Sequence, residues 1–228
     1  REQGIGLAFF SSVLEAMQAT VDLLDLQPAG IEHIDRVLFD QTRGIHQAGD
    51  RAREWLEYAA LLHDIGGHIS YLDHHKHSYY LIRHGGLRGF EPEEVEAIAL
   101  MAQYHRRGRP KKSNHSLSSL PPDARRAVRV GSAMLRLAES LDRSHGQVVV
   151  QVELQPIGNR FRLVLRAHGP AELERWAASR HAAPLEKILG KALTFQAADR
   201  TLTAEDTAKA RQKIVARLER ELGAALRG

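Results

Sequence analysis

The spacing of the apolar residues changes once along this chain, at Gly146, and no other feature constrains the fold as much. Upstream they recur at helical intervals; downstream they alternate, and the two periods cannot be served by one kind of secondary structure. The upstream part breaks into several helices. Residues 7–26 carry one pattern, Pro28 and Gly30 interrupt it, and a second pattern runs from Ile31 to about Thr42. Arg51 to Asp64 is a strong helix with Trp55, Tyr58, Ala59, Leu61 and Leu62 on one face, and Gly66-Gly67 is expected to end it as a cap. Lys76 to His84 reads as a short helix closed by Gly85-Gly86. Glu91-Pro92-Glu93-Glu94 opens another that runs to about His105, with proline in the first turn and acids complementing the dipole. Residues 106–122 read as a polar loop. From Asp123 to about Arg143 a long helix presents Val128, Val130, Met134, Leu135, Leu137, Ala138 and Leu141.

Past Gly146, Gln147–Leu154 and Arg160–Ala167 are β-branched or alternating segments joined by Gly158-Asn159, which reads as a β-hairpin. A helix over Pro170–Arg180, a short turn of helix over Pro184–Gly190 and a third strand over Ala192–Gln196 follow. Thr203, with Asp206 three residues on, opens a charged amphipathic helix. The expected fold is mainly α. An N-terminal helix (1–27) packs on a helical bundle (28–146), followed by a small α+β appendage (147–200) and a C-terminal helix (201–228).

Composition removes several function classes. The chain has no cysteine, which rules out disulfides and thiolate metal sites and makes a reducing, cytoplasmic compartment the natural one. No apolar run approaches the ~20 residues that span a bilayer, so no membrane role is expected. The start, Arg1-Glu2-Gln3-Gly4, has neither a signal-peptide pattern nor an initiator Met, as expected of a fragment, an excised domain or a processed chain. The net charge of +4 is modest, but thirteen histidines are present and many fall between His63 and His115.

The chemistry-bearing feature is His63-Asp64 at a helix end, since an imidazole nitrogen and a neighbouring carboxylate are both good ligands for one divalent ion. As a dipeptide it is common. Its context is not: His33 lies on a separate helix upstream, His68, His74, His75, His77 and His105 follow, and Glu139 and Asp142 come last. A His favoured by the helix C-terminal dipole is the alternative reading of His63, and polar packing that of His77 and His105. His68, His74 and His75 are read as surrounding or surface residues.

The order His, His-Asp, further His, then acid over helical segments resembles the HD superfamily. Read as words, EYAALLHDIGGHISYLDHHKHSYYLIRH, LRGF, ALMAQYHRRGRPKK and LRLAESLDRSHGQVVV resemble consecutive blocks of the C-terminal, HD-like region of the exopolyphosphatase/guanosine pentaphosphate phosphatase family. The resemblance covers nearly the whole chain and is most specific over residues 55–150. It implies a metal set of His63 and Asp64 at the centre, His77 at the intermediate position, His105 at the later one and Glu139, or Asp142 one turn on, as the last acid. His33 is the first-helix candidate, or else a surface residue. Without sulfur, such a site suits Mn, Fe, Ni, Zn or Mg.

The same resemblance implies that terminal phosphate removal belongs to N-terminal ATPase-type domains, with Mg expected in their site. Their Gly-rich phosphate loops do not occur in this sequence. The expected role is then to bind polyphosphate, or guanosine pentaphosphate, and to support a homodimer. Arg106, Arg107, Arg109, Lys111 and Lys112 form a dense cationic segment, with Arg83 beside another Gly-rich turn. Arg125, Arg126, Arg129, Arg136 and Arg143 on the long helix are read as a solvated face. Nucleic acid is a weaker candidate, since aromatics are only 6% of the chain and none interleave with the basic run. A rival reading is a free-standing metal-dependent HD phosphohydrolase acting on a nucleotide or phosphoanhydride, with His63 and Asp64 essential. A regulatory module is a third. Whether this chain is itself an enzyme stays open at this point, as does the choice between the two phosphate substrates.

Overall fold

A computed structural model describes residues 30–198 except Lys112. The helical patterns expected over 7–26 and from Thr203 lie outside the described residues, as does Lys112.

Helix α1 (Ile31–His46) buries Ile34, Asp35, Leu38, Phe39 and Thr42 on one stripe, and it stops where Gln47 turns left-handed at φ 54°. Helix α2 (Asp50–Leu62) follows after Gly49. The expected glycine cap does not form. The helix ends at His63 in right-handed geometry, and Ile65–His68 continue as a 3₁₀ turn. Gly66 serves closeness instead: a Cβ there would sit 2.1 Å from the His74 carbonyl oxygen and 2.3 Å from the Ser78 nitrogen. Ser78 rivets this contact, its Oγ accepting from Gly66 N at 2.9 Å and donating to the His63 carbonyl at 2.5 Å.

Helix α3 (His74–His84) begins two residues earlier than its pattern suggests. Helix α4 (Pro92–Tyr104) starts in a capping box in which Glu91 and Glu94 each satisfy the other's backbone N–H, and it is buried on all sides from Val95 to Ala102. The loop expected over 106–122 contains a short helix, α5 (His115–Ser119). The Asn114 side chain caps it by accepting from Leu117 N at 3.0 Å, and Leu117 and Leu120 seat it against Leu100 and Val128. Five residues are too few to show a period, which is why the sequence pattern conceals it. Helix α6 (Pro122–Leu141) lies along α4, and at Gly131 the two approach so closely that a Cβ would meet the Met101 sulfur at 2.5 Å.

Strands β1 (Val149–Ile157) and β2 (Arg160–Ala167) form the expected antiparallel hairpin. The two-residue turn has positive φ at Gly158 and not at Asn159, the type II′ arrangement. Helices α7 (Glu172–His181) and α8 (Ala183–Leu189) then lead to β3 (Ala192–Ala197), which runs parallel to β2, giving the order β1-β2-β3. The fold is thus a helical bundle with a small three-stranded α+β appendage. One face of the sheet is buried through Val152, Phe161, Leu163, Leu165 and Leu193, and it joins the same core as the bundle. β1 packs on α1 and α7 packs on α6, which brings the C-terminal half of α7 to the end of the bundle where α2, α4 and α6 terminate. Among the described residues no helix is long and apolar enough to cross a membrane.

Candidate functional site

Three helices, α2, α4 and α6, point their C-terminal ends at one place, and the first turn of α3 completes it. Helix C-termini carry the negative end of the peptide dipole, which favours a cation. His63 and His105 are the C-cap residues of α2 and α4, Glu139 is in the last turn of α6, and His74 opens α3. His63 Nε2 lies 3.5 Å from an Asp64 oxygen and 3.4 Å from Glu139 Oε2. Asp64 Oδ1 lies 3.0 Å from His74 Nε2 and 3.7 Å from His105 Nε2, and those two nitrogens are 3.3 Å apart. Ligand atoms of His63, Asp64 and His105 all fall within 4.8 Å of one another.

The donor set fits a divalent ion. His63 Nδ1 donates to the Ala60 carbonyl at 2.6 Å and His105 Nδ1 to the Ala102 carbonyl at 2.5 Å. These bonds place the ring proton on Nδ1 and leave both Nε2 lone pairs facing the cluster, as metal-ligating imidazoles require. His63 Nε2 and Glu139 Oε2 are buried without a hydrogen-bond partner, a state that costs free energy unless something fills the gap. His74 Nδ1 can serve only one neighbour. As donor to the Tyr71 carbonyl (3.1 Å) it leaves Nε2 free to ligate, and as acceptor from Arg106 (3.0 Å) it does not. Burial, reinforced by the charge of His63, pushes His105 down to about 2, so this ring is neutral. For His63 burial acts downward too, but the Glu139 and Asp64 carboxylates close to its Nε2 outweigh it, and its pKa is raised.

The cluster forms one wall of a cavity of about 430 Å³. The remaining lining is cationic and aromatic: Arg106, Arg107, Arg136 and Arg143 from the bundle, Trp176, Arg180 and His181 from α7, and Tyr71. Among the described residues Arg107, Arg143 and Arg180 enter no ion pair, so their charge is available. Arg136 is committed elsewhere. It donates to the carbonyls of Tyr104 (2.5 Å), His105 (3.1 Å) and Gly108 (2.7 Å), holding the end of α4 and the basic loop in place. A larger groove of about 800 Å³ lies at Ile45, Leu117 and Arg125–Arg129; it holds no ligand cluster, and we regard the smaller cavity as the site because the chemistry is there.

The sequence of this site can be set against known proteins. The family model described as Ppx/GppA phosphatase, domain III, matches residues 16–175, more than half of the chain. The chain belongs to the Ppx/GppA phosphatase family. The match spans the whole His/Asp/Glu cluster of this Ppx/GppA member and stops inside α7, so Trp176, Arg180, His181, α8 and β3 lie beyond it.

The expected site residues of this Ppx/GppA domain separate into groups. His63, Asp64, His105 and Glu139 come together. Asp142 instead accepts from Gln147 N at 2.7 Å and ends the helix. His77 makes none of the cluster contacts; α3 delivers His74, read from sequence as peripheral. His33 is away from the cluster contacts too, with a buried, unpartnered Nδ1. Of the basic residues, Arg106 and Arg107 line the cavity, Arg109 lines an adjoining groove that shares Arg136, Lys111 is exposed, and Arg83 is held in an ion pair with Glu96. Sequence reasoning passed over Asp35. It is fully buried on α1 with neither carboxylate oxygen bonded, and burial, then Glu32 and Glu139, raise its pKa well above the ordinary aspartate value. Its one sequence signal was an acid on the apolar stripe of α1, between Ile34 and Leu38.

Proposed function

We propose that this chain is the phosphoanion-binding, HD-like C-terminal region of a Ppx/GppA phosphatase. The single observation carrying this reading is that Arg107, Arg143 and Arg180, which enter no ion pair among the described residues, line one cavity with Asp64, His74, His105 and Glu139. Arginine forks match phosphate oxygens in pairs. Arg106 reaches the cluster through His74, and Arg136 fixes the segment carrying both loop arginines. In this reading linear polyphosphate enters over the basic rim, the hydrolytic Mg site belongs to N-terminal domains of the parent protein, and the region pairs with a second copy.

His63, Asp64 and His105, with Glu139 and His74 beside them, would hold a divalent ion. When bound, such an ion supplies Lewis-acid polarisation of a phosphoryl oxygen. The chain's own residues supply the rest: neutral His105 and the Nδ1–carbonyl bonds orient the ligand nitrogens, and the arginines orient the anion. The Nδ1–carbonyl bonds of both imidazoles favour a second reading, in which this cavity is itself a metal-dependent phosphohydrolase site.

The test is calorimetry with long-chain polyphosphate across a salt series. Binding is expected to weaken steeply with salt. The salt slope becomes shallower when Arg107, Arg143 and Arg180 are all changed to Gln. Salt-independent binding, or an unchanged slope in the triple variant, sinks the reading. Phosphate release by the purified chain with added Mn²⁺, abolished in His63→Ala, selects the second reading, and its absence selects the first. Sedimentation of the chain tests the pairing.

A further inference from the structure

On the α7 side of the cavity the helix ends in a histidine whose proton is placed by its neighbours. Ser140 Oγ, in the last turn of α6, lies 2.7 Å from the Arg136 carbonyl oxygen. A carbonyl can only accept, so the hydroxyl proton goes to it. His181 Nδ1 lies 2.9 Å from the same Oγ. Because the hydroxyl proton is already given to Arg136, Oγ accepts and Nδ1 donates. The ring proton therefore sits on Nδ1, and Nε2 keeps its lone pair. Among the described residues the one side-chain hydrogen bond of His181 is this bond to Ser140, which leaves Nε2 unengaged. His181 is exposed and lines the cavity, so a ligand there can reach it.

A free imidazole lone pair can hold a metal or attack an electrophile, and its surroundings decide between the two. Burial first, and then the charges of Arg136, Arg143 and Arg180, lower the pKa of His181, which keeps the ring neutral and nucleophilic near pH 7. The same guanidiniums repel a metal ion. They attract an anion instead, and Arg143 and Arg180 enter no ion pair among the described residues. Arg180 is also held flat against Trp176, its Cζ 5.3 Å from the ring centroid, so that its N–H edge is directed. An electrophile that is itself an anion, with oxygens for arginine forks, is a phosphoryl group. The charged groups acting on His181 are arginines, and none of them gives up a proton to a departing group. The leaving group must then be one that departs as a stable anion, as a carboxylate does.

We propose that His181 Nε2 is a phosphoryl-accepting site, modified by an acyl phosphate that Arg143 and Arg180 hold. The Nε2 lone pair forms an N–P bond, and the P–O bond to the acyl group breaks. The carboxylate leaves with that electron pair and needs no proton. The ring keeps its Nδ1 proton on Ser140 Oγ and becomes cationic, and the transferred phosphoryl oxygens face Arg143 and Arg180. The inference rests on the phosphoanion-binding reading above and adds a covalent step at one wall of that cavity. His181 and Arg180 lie beyond residues 16–175, so the site is not part of the segment matched by the family model.

The experiment incubates the full 228-residue chain with acetyl phosphate near neutral pH. The reaction is quenched in alkali, where an N–P bond survives, and the sites are mapped by peptide mass spectrometry. His68, His84 and His115 are exposed and outside the cavity lining, and His145 is exposed within it, so these four are internal controls. His181 is expected to be phosphorylated about tenfold faster than any of them. Phosphorus NMR should show the Nε2 isomer alone, and Ser140→Ala, which frees the ring to turn, should give both isomers. Arg143→Gln combined with Arg180→Gln should slow the labelling about tenfold. These arginines and His181 are exposed, so their variants keep the fold, and circular dichroism checks this. Labelling of His181 no faster than the controls overturns the proposal and leaves a helix-end histidine favoured by the dipole. An Nδ1 product in the wild-type chain, or undiminished labelling in His181→Gln, overturns it as well. If long-chain polyphosphate binds and His181 is not labelled, this proposal falls alone; if neither occurs, the phosphoanion reading falls with it.

Discussion

His105 makes the buried cluster measurable through its proton. The ring is 1% exposed, its Nδ1 proton is spent on the Ala102 carbonyl, and burial, followed by the charge of His63, lowers its pKa to about 2. An unfolded chain binds the proton with a pKa of about 6.5. Below that pH the unfolded state therefore gains a proton that the folded state refuses, and stability falls as pH falls. The slope is about 1.4 kcal/mol per pH unit once the unfolded histidine is protonated. Between pH 7.5 and 5.5 the integrated loss is about 1.4 kcal/mol. The perturbation is His105→Asn, whose amide can still donate to the Ala102 carbonyl but does not titrate. The assay is urea unfolding of both chains at the two pH values with a chelator present. Wild type should lose about 1.4 kcal/mol more than the variant on acidification. His46, His75 and His181, also lowered by burial, add acid-side losses to both chains alike. His63 is raised, so its contribution runs the other way: present below its unfolded pKa and lost as pH climbs through the folded one. If the two chains lose stability in parallel, His105 titrates as freely in the fold as outside it, and the cluster is not the desolvated site described above.

Three further outcomes are expected. Mn²⁺ added at a hundredfold excess over its dissociation constant should stabilise the chain by about 2.7 kcal/mol, read as a rise in Tm, and His63→Ala or Asp64→Ala should abolish the rise; a rise that survives both places the ion elsewhere. Gly66→Ala drives a Cβ into the backbone of α3 and should cost about 1–3 kcal/mol, while weakening Mn²⁺ binding because Asp64 and His74 move apart; wild-type values for both would show that the turn yields freely. Arg136→Met removes three donors from the end of α4 and should cost about 2 kcal/mol and open the chain to trypsin after Arg106 and Arg107. Arg136→Lys, lacking the planar fork, should rescue little of this, and full rescue would mean that charge alone matters.

What could be read from the residues alone is what depends on neighbours within a few positions. The switch of apolar period at Gly146 separates bundle from sheet because 3.6- and 2-residue repeats are local properties. The helix start at Glu91–Glu94, the Gly158 turn and the union of His63 with Asp64 are likewise short-range. The tertiary structure decided the rest. His74 rather than His77 reaches the cluster because the Gly66 contact fixes how α3 is placed against the 3₁₀ turn, and no spacing rule contains that. Arg83 and Arg136 look as available in sequence as Arg107 and Arg143. They differ in that Glu96 lies beside Arg83, and the carbonyls of Tyr104, His105 and Gly108 beside Arg136, once folded. Tyr71 and Trp176 are more than a hundred residues apart. Only the packing of α7 on α6 sets both on one rim, because a binding surface is a matter of which distant segments the core holds side by side.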